Sequence, residues 1–408
     1  VTDDDDPPTV SVSSETLGVE GASTTEADMT FTVSLDAVSG KSITMDYATT
    51  DGTATTAGGD YSTASASLTF AAGDTSKSVV VTANGDDLDE EDEAYTLDVS
   101  SIVNGLNTTA TGTGTITDDD DPPTVSIGDA LVTEGDVDTT VGVAVSLSGA
   151  SGKSITVDYT TSDDTATTAD GDYTADGPTT LTYAAGETLK TITLTIGGDT
   201  KDEDNESFDV LLSGESNVTV LDDTGVVSIN DNDAPPTVST VDVSVTEGTS
   251  ESTATATVTA TLSEVSGKAI TIQTDTSDGT ATTADFDYAA ITAGSISIAA
   301  GSLSGTADVY VSGDITDEGT DEALTLTLSN GSNVTIDSGS DNGNASGADN
   351  VATVTITDDD DPPVISVVDA SVTEGSSATL TVSFSNPSAL QVDVDYATDD
   401  GTATTADS

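Results

Sequence analysis

A run of carboxylates followed by two prolines recurs along this 408-residue chain, and its spacing constrains the fold more than any other feature. TDDDDPP stands at 2–8, 117–123 and 357–363, and the variant NDNDAPP stands at 230–236. Successive runs begin 115, 113 and 127 residues apart. An interval of about 115 residues is an ordinary size for one small domain. The chain is therefore predicted to be a tandem array of similar domains.

Each interval carries the same motifs in the same order, which sets the predicted domain boundaries. After the acidic run come a Glu-Gly pair, a Ser-Gly-Lys tripeptide, a TATT stretch that leads to Asp-Tyr, and a second acidic loop. In the first interval these are residues 20–21, 39–41, 53–61 and 85–93. We predict the end of a preceding repeat at 1–6, complete repeats at 7–121 (repeat one), 122–234 (repeat two) and 235–361 (repeat three), and a truncated fourth repeat at 362–408.

Apolar residues alternate with polar ones in short stretches of every repeat. Phe31, Val33 and Leu35 alternate with Thr and Ser, and later stretches such as 43–47 and 95–99 follow the same period of two. This period predicts half-buried β-strands. Each repeat holds about seven such stretches, separated by Gly, Asp and Asn turns, and no sustained helical periodicity. We predict an all-β chain of tandem immunoglobulin-like antiparallel β-sandwiches that form an elongated array.

The composition is strongly acidic and lacks several reactive residue types. Six basic residues, all Lys, stand against 75 acidic residues, and the formal net charge is −69. Such a surface repels nucleic acid and anionic membranes, because both are bound through Lys and Arg. The chain has no His and no Cys, and no apolar run approaches the ~20 residues of a membrane span. We expect no catalysis, no nucleic-acid partner and no membrane insertion in this segment.

The acidic motifs are expected to converge at one end of each sandwich, where loops cluster. Like charges at 4 Å repel by ~1 kcal/mol per pair in water and by more where water is excluded. The fold can accommodate this repulsion if the carboxylates point into solvent or if a cation bridges them. The first alternative, that these are solvated loops, stays open. Carboxylate and carbonyl oxygens without imidazole or thiolate favour calcium or magnesium. Flexible loops that offer many oxygens favour calcium, Ca²⁺, over magnesium.

The order of these motifs resembles the Calx-beta domain family. The family is named after sodium/calcium exchangers and also occurs in an integrin chain and in large bacterial surface proteins. The resemblance rests on the Glu-Gly pair, the stretch from Asp46-Tyr47 to Asp60-Tyr61, the D-x-x-D-E-x-x-E loop and the terminal Asp triplet. It extends over the whole chain and implies a seven-strand sandwich. In the calcium-binding members, the ligands come from these same four elements.

The resemblance implies one ligand set for each complete repeat, but repeat two departs at Asn232 and Lys201, which predicts a weaker site. The loop of repeat three is one residue longer. Gly85, Gly198 and Gly313 stand where calcium sensors of the family carry a further Asp, which implies fewer ions per site. The implied ligands are Glu20, Asp60, Asp86, the carbonyl of Leu88, Glu90, Asp118, Asp119 and Asp120 in repeat one; Glu134, Asp172, Asp199, Glu203, Asp231 and Asp233 in repeat two; and Glu247, Asp287, Asp314, Glu318, Asp358, Asp359 and Asp360 in repeat three.

The leading hypothesis for function is a calcium-rigidified stalk of a large secreted or cell-surface protein, in particular a bacterial adhesin or surface filament. The expected partners are calcium ions and neighbouring repeats of the same chain. Other copies of the chain, through exposed edge strands, and a cell-surface or matrix ligand are further candidates. A regulatory calcium sensor of a membrane transporter and the non-catalytic repeat region of a large extracellular enzyme remain alternatives. The Lys of each Ser-Gly-Lys motif (41, 153 and 268) is expected only to close a hairpin turn.

Overall fold

The structure, a computed structural model, describes residues 5–106, 109–249, 251–336 and 350–404, and all regular elements in these ranges are β-strands. Within the same ranges, no helix could serve as a membrane span. The chain divides into two compact units, each described by itself below. The first unit comprises Val1–Gly198 and Glu206–Asn230, and the second comprises Asp199–Asn205 and Asp231–Ser408.

Repeat one folds as two facing sheets. One sheet has the strand order β1-β3-β6 and the other has the order β2-β8-β7-β4-β5. The strands are β1 (Val10–Val12), β2 (Glu15–Thr16), β3 (Glu26–Leu35), β4 (Ile43–Thr50), β5 (Ser65–Phe70), β6 (Ser76–Asn84), β7 (Glu93–Val103) and β8 (Ala110–Ile116).

Repeat two has the same pair of sheets and one short strand more than the described residues of repeat one. The strands are β9 (Thr124–Ile127), β10 (Ala130–Thr133), β11 (Thr139–Leu147), β12 (Ile155–Asp163), β13 (Thr179–Tyr183), β14 (Leu189–Ile196), β15 (Glu206–Ser216), β16 (Thr219–Asp222) and β17 (Thr224–Asn230). The sheet orders are β14-β11-β9-β16 and β10-β17-β15-β12-β13. The smaller sheet of repeat two thus contains β16 as a fourth strand, next to β9.

Repeat three has the topology of repeat two, and a two-stranded sheet follows it. The strands of repeat three are β18 (Thr237–Thr240), β19 (Val243–Thr246), β20 (Thr253–Leu262), β21 (Ile270–Ser277), β22 (Gly294–Ile298), β23 (Ser304–Ser312), β24 (Glu322–Ser332), β25 (Thr335–Ile336) and β26 (Val351–Thr357). The sheet orders are β23-β20-β18-β25 and β19-β26-β24-β21-β22. In the fourth segment β27 (Ile365–Val368) pairs with β28 (Thr381–Phe384).

The first strand of each complete repeat is divided between the two sheets. In repeat one, β1 pairs antiparallel with β3, whereas β2 crosses over and pairs parallel with β8. Repeats two and three divide the strand in the same way. Counted as one divided strand, it gives repeat one seven strands in its described residues. The prediction of immunoglobulin-like sandwiches with about seven strands is therefore confirmed.

Each sandwich buries its own core between the two sheets, and the alternating residues face inward as the period of two predicts. In repeat one, Phe31 on β3 meets Tyr95 on β7 edge-to-face, with ring centroids 6.0 Å apart. Tyr61 stacks on Tyr95 at 4.2 Å. Burying such a side chain stabilises the fold by roughly 2–3 kcal/mol. Because Tyr61 is anchored in the core, the adjacent Asp60 is held at the end of the sandwich.

Candidate metal centre

Strand directions bring the four acidic elements of repeat one to the same end of the sandwich. Since β2 runs parallel to β8, the Glu-Gly pair after β2 and the Asp run after β8 emerge side by side. The Glu20 N–H donates to the Thr117 carbonyl at 3.1 Å. Since β7 is antiparallel to β8, the acidic loop before β7 also lies there. The turn that carries Asp60 follows β4, which ends beside the start of β7.

One cluster in repeat one joins three of these elements. Carboxylate oxygens of Glu20, Asp86 and Asp120 all lie within 4.8 Å of one another. Glu20 is only 7% exposed. Among the described residues, Glu20 Oε1 and Asp120 Oδ2 are buried and have no hydrogen-bond partner. Buried carboxylate oxygens are normally paired, so this cluster is arranged to receive a positive group.

Backbone amides hold Asp86 of this cluster and the two aspartates before Asp120 in place. The N–H of Gly21 donates to Asp119 Oδ1 at 3.0 Å, and the N–H of Glu90 donates to Asp118 Oδ1 at 3.2 Å. The N–H of Leu88 donates to Asp86 Oδ1 at 2.7 Å. The first two bonds join the Asp run to the Glu-Gly pair and to the acidic loop, so the three elements that carry the cluster are fixed relative to one another through their backbones.

A second cluster lies beside the first and contains a residue that sequence reasoning missed. Oxygens of Asp60, Glu90 and Glu93 lie within 4.8 Å of one another. Glu93 is the last residue of the D-x-x-D-E-x-x-E loop, and this motif could have indicated it as a ligand. It was not among the predicted ligands. Burial, followed by a hydrogen bond and the charge of Asp60, raises the pKa of Glu93 to about 8.

Burial and neighbouring carboxylates both perturb Glu20. Burial is the largest cause that raises its pKa to about 7, and the charges of Asp86 and Asp118 add to it. The pKa values of Glu90 and Asp120 are also raised, again first by burial and then by neighbouring carboxylates. All seven predicted acids of repeat one therefore take part in this mutual repulsion, as expected for like charges held together.

Repeat three brings the same acidic elements together despite its longer loop, although different members of these elements form its cluster. Oxygens of Glu247, Glu318 and Asp358 lie within 4.8 Å of one another. Among the described residues, Glu247 Oε1 and Asp360 Oδ2 are buried without a hydrogen-bond partner. Gly319 takes a positive φ of 68° and donates its N–H to Asp358 Oδ2 at 2.9 Å. The extra residue is thus absorbed after Glu318, which keeps its place in the cluster.

The carboxylates of repeat three are perturbed in the same direction. Burial, followed by the charges of Glu318 and Asp314, raises the pKa of Glu247 to about 8. Burial is also the first cause that raises the pKa of Glu318 to about 7. Glu322, the counterpart of Glu93, was likewise missed from sequence, and its pKa is raised to about 7 by burial and then by Asp287.

The predicted ligands of repeat two are divided between the two compact units, so each group is described separately. In the first unit, Glu134 is buried and Asp172 accepts the Thr167 N–H at 2.6 Å. In the second unit, the predicted residues are engaged locally. Asp199 accepts the Lys201 N–H, Lys201 forms an ion pair with Glu203, and Asp231 accepts the Asp233 N–H.

The lysines of two Ser-Gly-Lys motifs do more than close a hairpin, so that expectation was incomplete. In the first unit, Lys153 Nζ lies 2.6 Å from Asp89 Oδ1 and 3.5 Å from Asp118 Oδ2 of the preceding repeat. In the second unit, Lys268 Nζ lies 2.7 Å from Asp202 Oδ1. Burial alone would lower the pKa of Lys153, but Asp89 and Asp118 outweigh it, and the ammonium stays charged.

The chain belongs to the Calx-beta domain family, whose family model matches residues 3–120, 118–233, 231–360 and 358–408. The prediction of tandem Calx-beta repeats is therefore confirmed, although no curated protein matches the sequence significantly. The chain is also similar to three crystal structures. These are CBD12 from CALX1.2 (19% identity, 51% of this chain and 80% of that chain, TM-score 0.26), calcium binding domain CBD12 of CALX1.1 (20%, 54% and 100%, 0.26) and the apo-form Calx CBD1 domain (23%, 27% and 98%, 0.24).

Proposed function

We propose that repeats one and three bind calcium at the end of each sandwich where the acidic elements meet. The observation that carries the proposal is the buried, unpartnered carboxylate oxygens of Glu20 and Asp120, repeated at Glu247 and Asp360. Leaving such groups uncompensated costs free energy, and a cation would supply the missing partner. The family resemblance assigns calcium ligands to the same elements.

The donor set favours calcium over other cations. Carboxylate oxygens from several loops, with no imidazole or thiolate in the chain, suit a hard cation. Six or more flexible oxygens suit Ca²⁺, whereas Mg²⁺ requires a strict octahedron and keeps its waters. When bound, the ion would supply positive charge that offsets the mutual repulsion of the carboxylates. The residues that would hold it are those of the two clusters in repeat one and their counterparts in repeat three.

We propose further that the array is a non-catalytic, calcium-rigidified spacer of a secreted or cell-surface protein, with a bacterial adhesin or filament as the leading case. Two features support this. The candidate sites adjoin the residues that lead into the following repeat, and the Pro-Pro pair after each Asp triplet stiffens that connection. Extracellular calcium modules bind in the range of about 10⁻⁴–10⁻³ M, which weak sites with few ions would match.

Thermal unfolding of the full chain tests the calcium proposal. The protein is freed of metal with chelator and then melted in millimolar calcium, in millimolar magnesium and in chelator alone. A ligand present at 100 times its dissociation constant stabilises the folded state by about 2.7 kcal/mol. A rise of the melting temperature with calcium and little change with magnesium is expected, and no rise with either ion would refute the proposal.

Calorimetric titration then separates the proposed spacer from a regulatory sensor. Dissociation constants near 10⁻⁴–10⁻³ M support an extracellular spacer, whereas values of about 10⁻⁷–10⁻⁵ M are those of sensors and would overturn the spacer. The matched control is a chain with Glu20→Gln and Glu247→Gln, which removes one buried carboxylate from each site and keeps the side-chain shape. This control should lose most of the calcium-dependent rise in melting temperature.

A further inference from the structure

A single buried aspartate joins each acidic loop to the Ser of the following repeat. In the first unit, Ser151 donates its hydroxyl to Asp89, 3.0 Å from both the carbonyl and the Oδ2 oxygen, and the Gly152 N–H donates to the same carbonyl at 3.0 Å. Asp89 and Ser151 are each only 2% exposed. The joint between repeats one and two is thus closed by a specific hydrogen-bonded contact.

The second unit contains two more joints of this kind. The hydroxyl of Ser266 donates to the Asp202 carbonyl at 3.1 Å, and the Gly267 N–H donates to it at 3.0 Å. Further along the chain, Ser388 donates to the Asp317 carbonyl at 3.3 Å. The same Asp–Ser contact therefore recurs wherever an acidic loop in the described residues meets a following repeat.

The joints differ in the residue that comes two positions after the Ser. Lys153 and Lys268 extend their ammonium groups to the buried aspartate of their joint. They also approach the first residue of the acidic run, 3.5 Å from Asp118 and 3.8 Å from Asp231. In the third joint this position is Leu390, which carries no charge. Two joints thus contain a fixed positive charge and the third does not.

We propose that Lys153 and Lys268 are built-in counter-cations that keep their joints closed without bound metal, whereas the Leu390 joint closes fully only when a divalent cation is bound. Each lysine places one positive charge beside carboxylates that would otherwise repel one another across the joint. The pair is shielded from water, since the Lys153 side chain is 18% exposed and that of Asp89 only 2%. Salt therefore screens it weakly. At the Leu390 joint the described residues make only uncharged contacts to the buried aspartate: the hydrogen bonds from Ser388 and the backbone hydrogen bonds of Asp317 with Pro387 and Ala389.

The absence of Cys from the chain makes the joints directly measurable. Pairs of cysteines for spin labels are placed at exposed strand positions, Thr30 and Thr193 across the first joint, and Thr255 and Ser383 across the third. Pulsed electron paramagnetic resonance then reports the distribution of distances in the full chain. In chelator, the first pair should give a narrow distribution and the third pair a broad one.

Substitutions that exchange the residue types of Lys153 and Leu390 test whether the lysine is the counter-cation. Lys153→Leu should broaden the first distribution at least about twofold in chelator, and Leu390→Lys should narrow the third. Lys190→Leu is the matched control. It removes the same charge, but Lys190 pairs with Glu187 inside repeat two and lies away from any joint. Lys153→Met, which keeps most of the side-chain volume, separates the loss of charge from the loss of packing. An unchanged width in both Lys153 variants would overturn the proposal.

The measurements in calcium rest on the proposed function, whereas the measurements in chelator do not. In millimolar calcium the third distribution should narrow, and Lys153→Leu should recover a narrow first distribution. The variant should also bind calcium several-fold more tightly at repeat one, since a positive charge 3.5 Å from Asp118 is gone. If the widths in chelator behave as expected and calcium has no effect on any pair, the lysine assignment stands and the calcium proposal fails.

Discussion

The acidic end of repeat one and that of repeat three contain the same carboxylates but meet different neighbours. Glu20, Asp120 and Glu93 have counterparts in Glu247, Asp360 and Glu322, with the same burial and raised pKa values. The following repeat contributes Lys153 in the first case and Leu390 in the second. The cluster is therefore a property of one sandwich, whereas the repeat that follows decides whether a positive charge lies beside it.

A second difference lies in the turn that presents the aspartate next to the core tyrosine. Repeat one has Gly59 there at φ 102°, and repeat three has Phe286 at φ 73°. Phe286 is 78% exposed, so its ring gains little from burial. A bulky residue in the left-handed region is strained. The two repeats thus place the aspartate in the same way, but repeat three does so with more backbone strain. The position of the aspartate is therefore kept although the preceding residue disfavours this conformation.

The largest expected effect is a loss of folding stability as pH rises, which the acidic clusters of both repeats cause and which bound calcium reverses. In chelator, Glu20, Glu93, Glu247, Glu318 and Glu322 have folded pKa values of about 7–8, above their ordinary value of 4.5. The folded state binds more protons than the unfolded state in this window, so stability is full below about pH 4.5 and falls as pH rises through 7–8. We expect the melting temperature in chelator to drop by at least about 5 °C between pH 5 and pH 8. A rise over this range without metal would contradict the assignment.

The next effect separates the two joints. Asp89→Ala leaves the Lys153 ammonium without its main partner, and breaking a buried ion pair in this way costs about 3 kcal/mol. Asp317→Ala at the Leu390 joint removes only a hydrogen bond from Ser388 and should cost about 1 kcal/mol. Urea unfolding in chelator measures both. Equal losses would mean that the lysine adds nothing to the first joint.

The sites themselves should respond alike to loss of one buried carboxylate. Glu20→Gln or Glu247→Gln is expected to weaken calcium binding at its own repeat by about tenfold or more, because affinity follows the number of ligand charges. In chelator the same variants should be slightly more stable, since one repelling charge is removed from each cluster. Calorimetric titration and melting curves supply the two readouts. Weaker binding together with lower stability in chelator would indicate misfolding rather than loss of a ligand.

The smallest effect concerns the strained turn. Phe286→Gly relieves about 1–2 kcal/mol of left-handed strain but increases the entropy of the unfolded chain by about 0.5–1 kcal/mol. A net gain of about 0.5–1 kcal/mol is expected, and Gly59→Phe should produce the reverse change in repeat one. Urea unfolding in chelator compares them. A loss of stability in Phe286→Gly would show that the ring makes a stabilising contact.

Some features followed directly from the order of residues. Strand alternation at Phe31, Val33 and Leu35 and the recurrence of the acidic runs predicted sandwiches in tandem, because the period of two and the repeat length are properties of the chain itself. The convergence of Glu20 with the Asp run also followed once a sandwich was assumed. The ligand lists and the repeat boundaries stay predictions.

The linear sequence determined the repeat, the strand pattern, the negative charge and the set of oxygen donors, because each is a local property of the chain. The tertiary structure alone decided which carboxylates share a cluster. It added Glu93 to one cluster and placed Glu322 beside Asp287, and each of these two residues is the first of a strand. It also decided the role of Lys153, because the ammonium reaches Asp89 only across the contact between repeats one and two. Contacts between residues 64 positions apart depend on how the sandwiches dock, which no local pattern encodes.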